Sequence, residues 1–183
     1  MFLARWRARR ANRVLIDHIH GEIVAAARAP VLYADFGVPD DLDGRFEMVT
    51  LHAGLVLRRI AEFGDGGAGL AGEIVDRVFQ GFEDAFREMS ISDVGVVKRI
   101  KKMLEAFHGR SKVYGEALAA NDSSALAAAL ARNAYRDSAL AESARARALA
   151  DHVFALAAAL ESVPVEAFTQ GRFRFSSLTG GAA

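Results

Sequence analysis

The side chains with the widest chemical range in this sequence are five histidines, His18, His20, His52, His108 and His152, and there is no cysteine. Without cysteine, disulfides, thiolate metal sites and thiol nucleophiles are excluded. His18 and His20 stand two apart, a spacing that sends them to different faces of a helix, so they make a poor metal pair. No HExxH pair and no Walker loop with its Lys-Ser/Thr occurs. Gly64 to Gly72 reads GDGGAGLAG, which invites a phosphate-cradling role, but it follows a helical pattern rather than a strand and lacks a lysine. Asp65-Gly66 resembles part of a calcium loop, without the remaining oxygen ligands or the closing glutamate. No nucleophile with an acid–base partner can be named. The sequence therefore predicts no catalytic residue, no metal site and no cofactor.

Two other constellations carry charge. Arg45, His52 and Arg59 are seven apart and fall near one line of an otherwise apolar helix. Such polar groups must be paired or face solvent. Either the arginines pair with acids such as Asp41, Asp43 or Glu62 while His52 bonds a carbonyl, or the stripe lines a partner-binding groove. The second constellation is a helix carrying Lys98, Arg99, Lys101, Lys102, Arg110 and Lys112 against Glu105, beside a helix whose outer face holds Glu73, Asp76, Glu83, Asp84 and Glu88. Lys98, Lys101, Lys102 and Lys112 share one face by helical spacing. That face is either solvated and ion-paired to its acidic neighbour, or a docking surface for an acidic partner, a phospholipid headgroup or RNA. No aromatic residues are interleaved with it to stack bases, which disfavours RNA.

The elements that position these residues are helices. The chain has 183 residues, 52% hydrophobic, with three prolines and 23 basic against 23 acidic side chains. That length and apolar fraction suit one domain with a real core. A formal net charge of zero disfavours a strongly basic nucleic-acid binder, and DNA is not expected as a partner. Helical periodicity predicts an all-α single-domain bundle of about six to seven helices. Their expected spans are about 12–28, a short helix from Pro30 stopping at Gly37, about 41–63, about 68–89, one capped by Ser92-Asp93, a short one after Asn121-Asp122-Ser123-Ser124, and about 137–161. In the third, Leu42, Phe46, Val49, Ala53, Val56, Ile60 and Phe63 form one apolar seam, and Met48, Leu51 and Leu55 form a second stripe. A helix apolar on two sides belongs at the centre of a bundle. The expected core is Phe46, Val49, Val56, Ile60, Ile74, Val78, Phe82, Val97, Ile100, Leu104 and Phe107, with Met89 also inward. Residues 1–13 form a basic N-terminal segment with Arg5, Arg7, Arg9, Arg10 and Arg13; 14–168 form the domain; 169–183 form a flexible tail. No stretch reaches the ~20 apolar residues of a spanning helix, and no apolar run follows the N-terminal arginines as in a secretory signal.

Val31 to Tyr114 resembles the ubiquinol–cytochrome c chaperone family, assembly factors for ubiquinol–cytochrome c reductase. The segments that carry the resemblance are Tyr33, Gly37-Val38-Pro39-Asp40, Asp43-Gly44-Arg45-Phe46, Leu51-His52 and Leu57-Arg58-Arg59. Phe86-Arg87-Glu88-Met89, Ser92-Asp93, Val97-Lys98, Lys101-Lys102-Met103, Ala106-Phe107-His108-Gly109-Arg110 and Tyr114 complete it in order and spacing. Ser90 departs from the family's usual glycine, and His108 from its usual tyrosine. The resemblance implies an all-α, non-enzymatic chaperone that binds newly made cytochrome b and supports assembly of respiratory complex III. The absence of a long mitochondrial-type leader and the Ala/Arg/Gly-rich composition suit a bacterial member, cytoplasmic or peripheral at the inner face of the cytoplasmic membrane.

The constellations and the resemblance together nominate Val38, Pro39, Arg45, Phe46, His52, Arg58, Arg59, Lys98, Lys101, Lys102, Phe107, Arg110 and Tyr114 as partner-binding residues. The expected partners are newly synthesised cytochrome b and an anionic membrane surface; ribosome contact stays open. A fixed corner made by Gly37 to Asp40 and Gly44 to Phe46 is expected to pack near His108-Gly109-Arg110. The alternative function is a soluble helical carrier of a lipid or quinone, using the same grooves for a small molecule.

Overall fold

The computed structural model describes the backbone of residues 2–175 and the side chains of residues 11–64 and 67–175. Eight α-helices span Phe2–Ala27 (α1), Pro30–Ala34 (α2), Leu42–Ala61 (α3), Asp65–Glu88 (α4), Asp93–Ala119 (α5), Ser123–Asn133 (α6), Ala144–Glu161 (α7) and Val165–Thr169 (α8). A 3₁₀ turn, Ser138–Leu140, separates α6 from α7, and no strand occurs among the described residues.

Short polar side chains set the helix starts by accepting the first free backbone N–H groups. Asp41 accepts from the Gly44 amide at 2.8 Å, Asp122 from Ala125 at 2.8 Å and Ser143 from Ala146 at 3.2 Å. Pro30 sits in the first turn of α2, where its missing N–H costs nothing. The turn into α3 depends on Gly44: a Cβ there would lie 1.9 Å from the Pro39 carbonyl oxygen.

The two apolar stripes of α3 explain its place. Met48, Leu51, Leu55, Phe46, Val49, Val56 and Ile60 are all buried, and α3 packs against α1, α4, α5 and α7. The remaining large contacts are α1 with α4, α4 with α5, and α6 with both α5 and α7. The expected bundle is therefore observed, with α3 as its axis.

Several details differ from the sequence expectation. Helix α1 starts at Phe2 rather than near residue 12, and Ile16, Ile19, Ile23 and Ala27 form its buried stripe while Val14 is exposed. Helix α7 starts at Ala144, because Asp137 caps the 3₁₀ turn and Ser143 opens a new helix. Leu42 is exposed, and Phe82, Ile100 and Leu104 are only partly buried against the core. Val97 is 70% exposed and Met89 57%. On α5 the inward residue is Val96, which continues the seam through Ile100 and Phe107, so Val97 lies a third of a turn away. On α4, Phe79 and Phe86 are buried instead of Met89.

The chain past Phe168 also differs from the expected loose tail as far as it is described. Phe173 and Phe175 are buried, and Phe173 stacks on Phe168 with ring centroids 4.5 Å apart. The remainder of that tail, 176–183, lies outside the described residues, as do the side chains of Arg5, Arg7, Arg9 and Arg10.

Candidate client-docking surface

The densest grouping of nominated residues lies where the start of α3 meets the middle of α5 and the end of α6. Asp43, Phe46, Glu47, Lys102, Met103, Ala106, Arg110, Arg132, Asn133 and Arg136 line a cleft of about 330 Å³. Its anchor is an ion pair that the sequence reading missed. Glu47 lies one turn before Leu51, beside the second apolar stripe of α3, and is 3% exposed. Arg110 donates to it through Nε at 2.6 Å and a second time through Nη2. Burial is the main influence on the Glu47 carboxyl and raises its pKa; the hydrogen bonds and charge of Arg110 offset only part of that. The Arg110 guanidinium also lies 5.7 Å from the centroid of Phe46, which packs edge-on against Phe82 at 5.5 Å.

The cleft's other wall is tied down by charge. Arg136, at φ +57°, pairs with Asp41 and Asp43. Tyr114 is buried, and burial moves its hydroxyl pKa well up. Tyr135 donates to the Phe36 carbonyl at 2.7 Å, fixing the 36–40 corner on the α6 end. The corner therefore docks on α6 and α7 rather than on Gly109. Gly109 is exposed, with nothing within 4 Å of a Cβ built there, which corrects the expected close approach. Phe46 reaches the α5 segment through Arg110. Arg132 and Lys102 line the cleft and make no ion pair among the described residues, so its mouth is cationic.

The other nominated residues are dispersed. Val38 is buried and Pro39 half-buried behind the corner. Arg45 is exposed and paired with Asp40 at 2.7 Å. Arg58 pairs with Glu161 at 3.7 Å, and Arg59 donates to the Val163 carbonyl at 2.8 Å and pairs with Glu62. His52 is buried and bonds the Met48 carbonyl. The members of the Arg45–His52–Arg59 stripe thus each have an intramolecular partner. Phe107 is core, edge-on to Phe79 at 5.6 Å.

Lys98, Lys101, Lys102 and Lys112 are all exposed on α5, as the helical spacing requires. Lys112 lies 3.8 Å from Glu116. Glu83 and Asp84 of α4 pair with Arg87, Glu73 accepts from Asn12, and no α4 acid lies within ion-pair distance of these lysines among the described residues. Beside the lysines, at the α4–α5 turn, Met89, Val94 and Val97 are exposed, Val94 by 81%. Periodicity had assigned Met89 and Val97 to the core, so this apolar tip was not legible as surface. No helix among the described residues is long and apolar enough to cross a membrane, and no cluster of three or more His, Asp or Glu poised for a metal occurs among them.

The model of the ubiquinol-cytochrome C chaperone family matches residues 34–175. The chain belongs to this family. A crystal structure of the Cbp3 homolog from Brucella abortus aligns with a TM-score of 0.84 and 38% sequence identity, covering 98% of this chain and 99% of that one. No curated protein matches the chain. Membership of the ubiquinol–cytochrome c chaperone family supports a chaperone role in assembly of respiratory complex III, and with it a protein client. The cleft and the lysine face of α5 both fall inside the matched span.

Proposed function

We propose that this chaperone is non-enzymatic and holds newly made cytochrome b until it is built into ubiquinol–cytochrome c reductase. The observation that carries the reading is the family match over residues 34–175, which spans the cationic cleft and all of α5. The surface chemistry supports it. A membrane-protein client offers apolar segments flanked by polar ends. The exposed Met89, Val94 and Val97 beside Lys98, Lys101 and Lys102 offer the complementary pairing of apolar contact and charge. The same tip and lysines suit peripheral contact with anionic lipid at the inner face of the cytoplasmic membrane, where each lysine contributes about 1 kcal/mol. The partner-binding residues on this reading are Phe46, Lys98, Lys101, Lys102 and Arg110, with Arg45 at the rim.

A clean deletion tests the proposal. Cytochrome b and the reductase should fall while other respiratory complexes keep their levels. A photo-crosslinker placed at Val97 should trap cytochrome b in cells. Unchanged reductase content in the deletion strain overturns the assignment.

A further inference from the structure

A second, larger cavity of about 670 Å³ lies between α1, the α1–α2 junction, α3, α7 and residue 175. Its walls are mostly apolar: Ala25, Ala26 and Ala29 on one side, Leu156 and Phe175 on the other. Cores pack without voids of this size, and pockets of roughly 300–1,000 Å³ are the scale of small-molecule sites.

One buried ring faces it with a nitrogen left without a protein partner. His52 lines the cavity and is 2% exposed. Its Nδ1 lies 2.7 Å from the Met48 carbonyl oxygen. A carbonyl only accepts, so Nδ1 carries the hydrogen and donates. Burial lowers the ring's pKa to about 4, so it is neutral at physiological pH and Nε2 keeps a lone pair. No described residue hydrogen-bonds that nitrogen. Nε2 is open to the cavity, so a water or a donor on a bound molecule can fill it there.

The other polar groups at the cavity are satisfied or neutral. Glu22 accepts from the Phe175 amide at 2.9 Å and pairs with Arg174 at 3.6 Å. His152 also lines the cavity and makes no hydrogen bond among the described residues, but it is only half-buried, so water reaches its ring; it stands against Phe36 with centroids 5.1 Å apart, and desolvation lowers its pKa too. The site therefore offers apolar walls and one acceptor on a buried ring, with a half-buried second imidazole and no uncommitted charge to hold an ion.

We propose that this cavity binds a neutral, largely apolar small molecule whose single hydroxyl donates to His52 Nε2. The inference stands apart from the chaperone reading, because it concerns the purified chain without a client.

The test is titration calorimetry of the full chain with 1-naphthol and with 1-methoxynaphthalene, which has the same ring system and no donor. 1-Naphthol should bind saturably at one site, and the methoxy compound about tenfold more weakly or worse, since it leaves Nε2 unpaired. Ala26→Phe should fill the cavity and abolish binding of both, with Val31→Trp at the rim as the substitute if that variant does not fold. His52→Phe should bring the two probes to equal affinity; if it does not fold, the probe pair on the native chain decides. Absence of saturable naphthol binding, equal affinity of the native chain for both probes, or binding that survives a folded cavity-filling variant each overturns the proposal.

Discussion

Arg110→Leu isolates the contribution of the Glu47–Arg110 pair. Glu47 is 3% exposed, so the variant leaves a carboxylate in the core with no cation. Removing one partner of a buried pair costs about 3–5 kcal/mol. Two features lower that figure here: the Arg110 side chain is 24% exposed, and Glu47 can escape by taking a proton. About 2–3 kcal/mol remains, which at roughly 2–4 °C per kcal/mol in a domain of this size lowers Tm by about 5–10 °C at pH 7.5. The pH dependence has a definite sign. Burial already holds the Glu47 carboxyl above its ordinary value, and loss of Arg110 raises it further. The deficit is therefore full above the raised folded-state value, and it closes as pH falls toward the ordinary carboxylate value, where a protonated Glu47 needs no cation. The double variant Glu47→Leu/Arg110→Leu should recover most of the loss, because an apolar pair of similar volume replaces an ion pair at little cost. Circular-dichroism melts of wild type and both variants between pH 8 and pH 5 read all three effects. An Arg110→Leu protein that melts within about 1 °C of wild type, or whose deficit is unchanged at pH 5, refutes the reasoning.

Gly109→Ala should raise stability by about 0.5–1 kcal/mol, because the position is an open helix interior and alanine loses less backbone entropy there. Denaturant titration measures it, and a loss would show an approach to α5 that the fold lacks. Ser143→Ala removes the acceptor that starts α7 and should cost about 1 kcal/mol, or about 2–4 °C of Tm, in thermal melts. The triple variant Lys98→Glu, Lys101→Glu, Lys102→Glu should abolish flotation with anionic vesicles while leaving the melting temperature near wild type, since these exposed lysines make no ion pair among the described residues and Glu83 and Asp84 of α4 pair with Arg87. Wild-type flotation should also weaken with salt, as the Debye length shortens to about 8 Å at 0.15 M.

The helices were legible where sequence imposes a local rule. Asp41, Ser92 and Asp122 stand at helix starts because each offers an oxygen to a free amide, whereas Ser143, which does the same for α7, was hidden inside a helical pattern read as starting near 137. The central place of α3 follows from two apolar stripes that only neighbours on several sides can bury. The misassignments came where burial depends on what surrounds an element. Val97 satisfies a three-residue step from Ile100, and Val96 satisfies a four-residue step equally well; which one turns inward depends on how the first turn of α5 lies on α4. Phe173 and Phe175 lack a helical frame, so no periodicity marks them as core. Glu47 was overlooked because a single charge beside an apolar stripe has no spacing partner; Arg110, its counterpart, is 63 residues away. The cleft likewise joins α3, α5 and α6 through contacts that no linear motif contains. The identity of several of its members, Phe46, Lys102 and Arg110, was legible from the family pattern, but their assembly into one site was not.

The aromatic segment from Phe168 to Phe175 governs the order in which the fold can close. Phe168 meets Phe63 after α3, Phe175 meets His52, the His18 ring bonds the Phe173 carbonyl and Glu22 accepts the Phe175 amide. The His18–Phe173 link joins residues 155 positions apart in sequence. Contacts of such separation form late, since the whole intervening loop must be ordered first. During synthesis α1 and α3 are therefore finished long before the rings that cover them exist. A chain stopped short of Phe173 would keep its helices while leaving apolar surface of α1 and α3 open to solvent. These rings and bonds therefore act as a clasp that ties the far end of the chain onto α1 and α3, and a chain without them would present a sticky apolar face at the α1 end.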